Sequence, residues 1–151
     1  MVSQEFLFMG CLNLEEVVLP AGIKQIPDNA FAYCKNLKTF QIPSSVEEIS
    51  DGAFENSGLT SITIPDSVTS IGERAFYDCS SLTRIVIPGL VTEIGGYCFE
   101  NTALQTIIFR GSAPAIDERA FTGVTATAYY PGNDPSWTAD TMLDYGGSLT
   151  W

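Results

Sequence analysis

The sequence predicts a repeat solenoid: short parallel β-strands stacked side by side, joined by 3₁₀ or short helical returns and closed by an aromatic C-terminal cap. Three ladders of residues carry this reading because they share one rhythm. Apolar-proline pairs stand at Leu19-Pro20, Ile42-Pro43, Ile64-Pro65 and Ile87-Pro88, with the prolines 23, 22 and 23 residues apart. A small residue followed by Phe stands at Ala30-Phe31, Ala53-Phe54, Ala75-Phe76, Cys98-Phe99 and Ala120-Phe121, at spacings of 23, 22, 23 and 22. Leu14, Leu37, Leu59, Leu82 and Leu104 repeat the same alternation. A fixed period of about 20–50 residues marks units that cannot bury their apolar faces alone and must stack on copies of themselves.

Each unit begins with an L-x-x-[IVF]-x-[IL] run such as Leu59-Thr60-Ser61-Ile62-Thr63-Ile64. Its alternation of apolar and polar residues predicts a short strand with one buried face. The proline that follows cannot donate to a ladder and ends the strand. In Val68-x-x-Ile71-x-x-x-Ala75-Phe76 the apolar residues recur at i, i+3, i+7 and i+8, the spacing of a tight helical return. A variable turn closes the unit. Phe8-x-x-Cys11-x-x-Leu14, Phe31-x-x-Cys34-x-x-Leu37 and Phe76-x-x-Cys79-x-x-Leu82 take six steps from Phe to Leu, whereas Phe54-Glu55-Asn56-Ser57-Gly58-Leu59 and Phe99-Glu100-Asn101-Thr102-Ala103-Leu104 take five. The 22/23 alternation is therefore an exchange of two turns. Residues 1–13 read as a truncated first repeat, 14–121 as repeats forming about five layers, and 122–151 as the cap.

The I-P, V-x-x-I-G and A-F-x-x-C signature resembles the BspA-like, or treponemal, class of leucine-rich repeat over about residues 8–121. The Asn usual at the strand exit of leucine-rich repeats is replaced by Pro, as is normal in that class. The resemblance implies a bacterial or protist cell-surface protein used for adhesion or binding, without catalysis.

The rhythm stops after Phe121. Two Trp and three Tyr follow within 30 residues, in Tyr129-Tyr130-Pro131, Trp137, Tyr145-Gly146-Gly147 and Trp151. Thr125 to Tyr130 reads as a final strand and Ala139 to Tyr145 as a short helix over the end. A solenoid must cover its last layer, and large aromatic side chains supply area for that. The same cluster could serve as a carbohydrate platform, but capping is the stronger reading. The tail also resembles the T-x-Y-Y-P…W…Y-G-G-x-x-T-W ending found after such repeats in surface proteins.

Composition excludes several chemistries. There are 18 acidic and 7 basic residues, a formal net charge of −11, and no histidine. That balance gives no footprint for nucleic acid or an anionic membrane surface. The absent imidazole removes the Ser-His-Asp triad, the Cys-His dyad and His-ligated zinc. No run of about 20 apolar residues predicts a membrane span. No Lys or Arg precedes Lys24, so no basic leader segment is read, and the expectation is a cytosolic chain or a piece of a longer secreted protein.

Cys11, Cys34 and Cys79 share one repeat slot and are expected to be buried free thiols. Slots two layers apart lie about 10 Å from each other, beyond disulfide reach. Cys98 replaces alanine before Phe and has no evident partner. The acidic pairs Glu15-Glu16, Glu47-Glu48 and Asp117-Glu118 are expected on solvated faces, since no D-x-D-x-D-G run is present to wrap calcium. No cofactor or metal is implied.

The concave face of the strand sheet is then the candidate binding surface. Its outward columns are Glu16, Thr39, Ser61, Arg84 and Thr106, and beside them Val18, Gln41, Thr63, Val86 and Ile108. Solenoids bind protein or glycan partners on such faces, although β-propensity alone also places Thr and Val there. The expectation is a non-catalytic adhesion-type module at a cell surface, with a rigid spacer as the alternative. The truncated first repeat leaves three outcomes open at the N-terminal end: a longer parent chain, end-to-end self-association, or a folded-back N-terminus using Phe6 and Leu7.

Overall fold

The direction in which the backbone N–H groups point decides how these residues stack. The structure, a computed structural model, describes residues 7–151. Among the described residues it forms nine strands and no helix: β1 (Gln25–Ile26), β2 (Glu48–Ile49), β3 (Ser70–Ile71), β4 (Arg84–Ile87), β5 (Glu93–Ile94), β6 (Thr106–Phe109), β7 (Ala115–Ile116), β8 (Thr125–Tyr129) and β9 (Ser148–Thr150). They assemble into two sheets, ordered β1-β2-β3-β5-β7 and β4-β6-β8-β9. Every pairing is parallel, as a solenoid requires.

The returns differ from the expected 3₁₀ or short helices. Each contains a two-residue strand followed by a chain of β-turns. In the second repeat, Ala30, Ala32 and Cys34 donate their N–H groups backward, to the carbonyls of Pro27, Asn29 and Phe31. The alternate residues Asn29, Phe31 and Tyr33 donate forward, to the carbonyls of Asp51, Ala53 and Glu55 in the next layer. A 3₁₀ helix would use every N–H within its own segment. Here the neighbouring layer takes half of them, so helix-like apolar spacing coexists with a cross-layer ladder.

Aiming these donors forward requires left-handed backbone at two slots per repeat. One holds Asn29, Gly52, Arg74 and Tyr97 and the other Tyr33, Asn56, Asp78, Asn101 and Gly123, all with φ between 54° and 74°. Bulky residues are uncommon in this region. Tyr97 is partly compensated there because Arg119 donates to its hydroxyl at 3.0 Å and stacks on its ring.

The core is a set of columns running along the stack. Ile26, Ile49, Ile71 and Ile94 lie in register and are buried. Phe8, Phe31, Phe54, Phe76, Phe99 and Phe121 stack nearly parallel, with ring centroids 5.1–5.6 Å apart. Six rings mean six layers, one more than the complete repeats suggest, because Phe8 provides a full rung. Phe40 packs at a steep angle against both Phe31 and Phe54, with ring centroids at 4.6 and 4.9 Å.

The expected L-x-x-I-x-I strands are uneven. In the later repeats they are β4 and β6, and β8 and β9 extend their sheet through the cap. In the earlier repeats pairing is reduced to one bridge, Gln41 to Thr63.

β8 matches the predicted final strand. The predicted helix from Ala139 to Tyr145 is instead a set of turns, because Thr141 and Met142 both donate to Thr138 and the series goes no further. Trp137 covers the last layer, packed on Phe109, Tyr130 and Trp151. Its Nε1 donates to the Gly111 carbonyl at 3.0 Å. Asp134 ties this segment to the repeats by accepting from the Ser112 hydroxyl. At the other end Leu7, Leu19, Pro20, Ile23, Ala30 and Phe31 surround an apolar hollow of about 140 Å³. Phe6 lies outside the described residues.

Candidate binding face

The pleat of the second sheet fixes which side chains face outward. In β4, Ile85 and Ile87 turn inward and are buried, so Arg84 and Val86 point away. Parallel register then aligns Arg84 with Thr106 and Val86 with Ile108. Among the predicted residues, Glu16, Val18, Thr39, Gln41, Ser61, Thr63 and Arg84 are exposed, and Val86, Thr106 and Ile108 are half-buried.

Two depressions mark this face. One, of about 620 Å³, brings together Glu16, Val18, Thr39 and Gln41. The other, of about 470 Å³, brings together Ser61, Thr63, Arg84 and Val86. Thr106 and Ile108 line neither; they join the face through their register with Arg84 and Val86.

Three residues of the same surface escape the repeat rhythm. Thr127 and Tyr129 of β8 continue the two outward columns, aligned with Thr106 and Ile108. The step from Thr106 to Thr127 is 21 residues, shorter than either spacing in the ladders, and the alternating Thr125-Ala126-Thr127-Ala128-Tyr129 is the signal that reveals it. Arg110 occupies the slot held by Pro20, Pro43, Pro65 and Pro88, and it lines the smaller depression. The broken proline ladder is its sequence signature.

The cations of this acidic protein are mostly engaged. Lys24 forms an ion pair with Glu47 at 2.6 Å, and Lys35 donates to the Asn56 side chain. Lys38 reaches the Lys35 carbonyl, Arg74 lies over Tyr77, and Arg119 contacts Tyr97 and Asp117. Arg84 and Arg110 have no such partner among the described residues.

The cysteines offer no reactive centre on this face. All four are free, and Cys34, Cys79 and Cys98 are buried. Cys11, in the first described layer, is exposed, contrary to the slot-based expectation. Cys34 and Cys79 donate their thiols to the carbonyls of Phe8 and Phe54, each at 3.1 Å. Burial pushes the Cys79 thiol up to about 11 and the Cys98 thiol higher still. Since the thiolate is the reacting species, an aromatic disulfide reagent at mildly alkaline pH should label Cys11 rapidly in the folded chain. The other three should react only in denaturant; rapid labelling of Cys98 without denaturant would contradict its buried place.

The carboxylate pairs do not assemble a site either. Glu15, Glu16, Glu47, Glu48 and Glu118 are exposed. Asp117 is half-buried and accepts from the Arg119 amide at 2.9 Å. Among the described residues no three His, Cys, Asp or Glu side chains gather as a metal site would require.

A family model for the BspA type leucine rich repeat region matches residues 3–127 in six copies. The chain belongs to that family. The six copies agree with the six-ring Phe stack. A leucine-rich repeat protein from T. pallidum is 33% identical, with a TM-score of 0.63 over 67% of this chain and 48% of its own. A leucine-rich repeat protein from Bacteroides ovatus is 29% identical, with a TM-score of 0.61 over 76% and 33%. A leucine rich cell surface protein from Faecalibacterium prausnitzii shares the fold at 23% identity, with a TM-score of 0.52 over 87% and 42%. This BspA-type chain thus spans less than half the length of each of these structures. No curated protein matches it. No helix among the described residues is long and apolar enough to cross a membrane.

Proposed function

We propose that this BspA-type repeat region is a non-catalytic binding module of a bacterial cell-surface protein, holding a protein or glycan partner on its outward strand face. The observation that carries the reading is the outward face itself. Strand register lines up its outward side chains from Arg84 and Val86 through Thr106 and Ile108 to Thr127 and Tyr129, and two depressions of about 470 and 620 Å³ open on the face. Preformed depressions of a few hundred Å³ are the size at which ligands are held. The surface location rests on the F. prausnitzii protein's description as a leucine rich cell surface protein.

The rigid spacer is the competing reading. It is favoured by the short match to longer repeat chains and by the Thr and Ser content that strand propensity alone supplies. An array of extracellular-matrix proteins and glycans separates the two. The folded chain should retain one or more array members, and Thr63→Arg with Arg84→Glu should abolish that retention. Glu118→Arg, away from this face, should leave it intact. No retention, or equal retention by both variants, supports the spacer.

A further inference from the structure

We infer that the smaller depression recognises an acidic peptide in extended conformation, bridged between Arg84 and Arg110; this rests on the binding-module reading and names the ligand class. Only seven Lys and Arg residues offset 18 Asp and Glu. Five of the seven are held by protein partners, as described above. The two that are not, Arg84 and Arg110, line the same depression of about 470 Å³. An unengaged guanidinium is a planar fork suited to carboxylate, and two at one groove give the site its charge preference.

Register defines the spacing. Ile87 pairs with Phe109, so Arg110 stands beside Pro88, four residues beyond Arg84 and one strand over. Four residues of strand together with one strand spacing separate the two positions by about 14 Å. An extended peptide covers nearly the same distance between residues i and i+4, whose side chains lie on one face. Residue i+2 then falls over Val86, a half-buried apolar floor between the two cations. The matched ligand is acidic at i and i+4 and apolar at i+2, as in Glu-Thr-Val-Thr-Glu.

Asp66 also lines the depression. No ion pair joins it to either arginine among the described residues, but its charge offsets part of theirs and so opposes an anionic ligand. Removing its charge should strengthen binding. The net charge of −11 repels acidic ligands at long range. Moderate salt, with a Debye length of about 10 Å at 0.1 M, should screen that repulsion more than the direct contacts.

Fluorescence anisotropy with capped, labelled peptides tests the inference. Glu-Thr-Val-Thr-Glu should bind, and its Lys-Thr-Val-Thr-Lys counterpart should not. Arg84→Gln and Arg110→Gln should each weaken binding at least about tenfold, the order expected for one charge-assisted contact. Asp66→Asn should tighten it. Far-UV circular dichroism should show all three variants folded, since the substituted side chains carry no structural hydrogen bond. Binding of both peptides alike, no binding of the acidic peptide, or indifference to both arginine substitutions overturns the inference. So does arginine-dependent binding of a sulfated or uronate oligosaccharide in place of the peptide. If the acidic peptide fails while an array partner is still lost on altering the face, the binding-module reading stands and only the ligand class falls.

Discussion

Replacing Phe76 by alanine should destabilise the chain by about 3–5 kcal/mol, the range for deleting a fully buried aromatic ring. Phe76 has no exposed surface and lies between Phe54 and Phe99, with ring centroids at 5.5 and 5.4 Å. Its removal takes a face from two layers at once and leaves a void in a continuous column. In a solenoid, stability is a sum of repeat terms and nearest-neighbour interfaces, so a central lesion weakens both halves of the stack. Phe8→Ala supplies the control. Among the described residues Phe8 is half-buried and stacks on one ring, Phe31, at 5.4 Å, so its loss should cost less than that of Phe76. Urea unfolding followed by circular dichroism measures both. Equal losses at the two positions would show that the stack does not couple its layers.

The same column explains why so much of the fold is legible in the sequence. Residues that recur because they touch their own copies in the next layer, such as Phe31, Leu37 and Ile49, announce both their burial and their neighbours. The cross-layer donors are not legible in this way. Asn29 and Tyr33 differ chemically from Gly52 and Asn56 in the same slots, because the slot selects a positive φ and a forward N–H rather than a side chain. Apolar spacing alone therefore reads as a helical return, and the two-residue strands are revealed only when backbone partners are counted. Cys11 illustrates a different limit. Its slot is a buried one, yet Cys11 is exposed in the first described layer.

The candidate site was legible in part, for a related reason. Arg84, Val86, Thr106 and Ile108 follow from strand alternation and register. Arg110 does not, since it occupies a slot where every earlier repeat has proline. Tyr129 lies past the last recognisable repeat. Positions that break a repeat are the ones a period search discards, and on this surface they contribute a second cation and an exposed aromatic ring.

Trp137→Ala should cost about 3–5 kcal/mol and should change the behaviour of the folded chain as well as its stability. Trp137 is 7% exposed, so its ring is committed to the protein and unavailable as a stacking platform for sugar. It packs on Phe109 at 4.8 Å and on Tyr130 and Trp151 at 5.5 Å each. Without it Phe109 gains solvent exposure, and the Gly111 carbonyl loses the indole donor. An uncovered solenoid end offers apolar surface and unpaired backbone to another chain. Sedimentation velocity should therefore show concentration-dependent association of the variant beyond that of the wild type, together with a lower unfolding midpoint. Tyr129 provides the contrast, because it is 55% exposed on the outward strand face. Tyr129→Ala should leave stability nearly unchanged, within about 0.5 kcal/mol as for most surface substitutions. A variant at Trp137 that stays stable and loses only glycan binding would reverse the assignment, making the tryptophan a ligand contact and leaving the last layer to be covered by Trp151 alone.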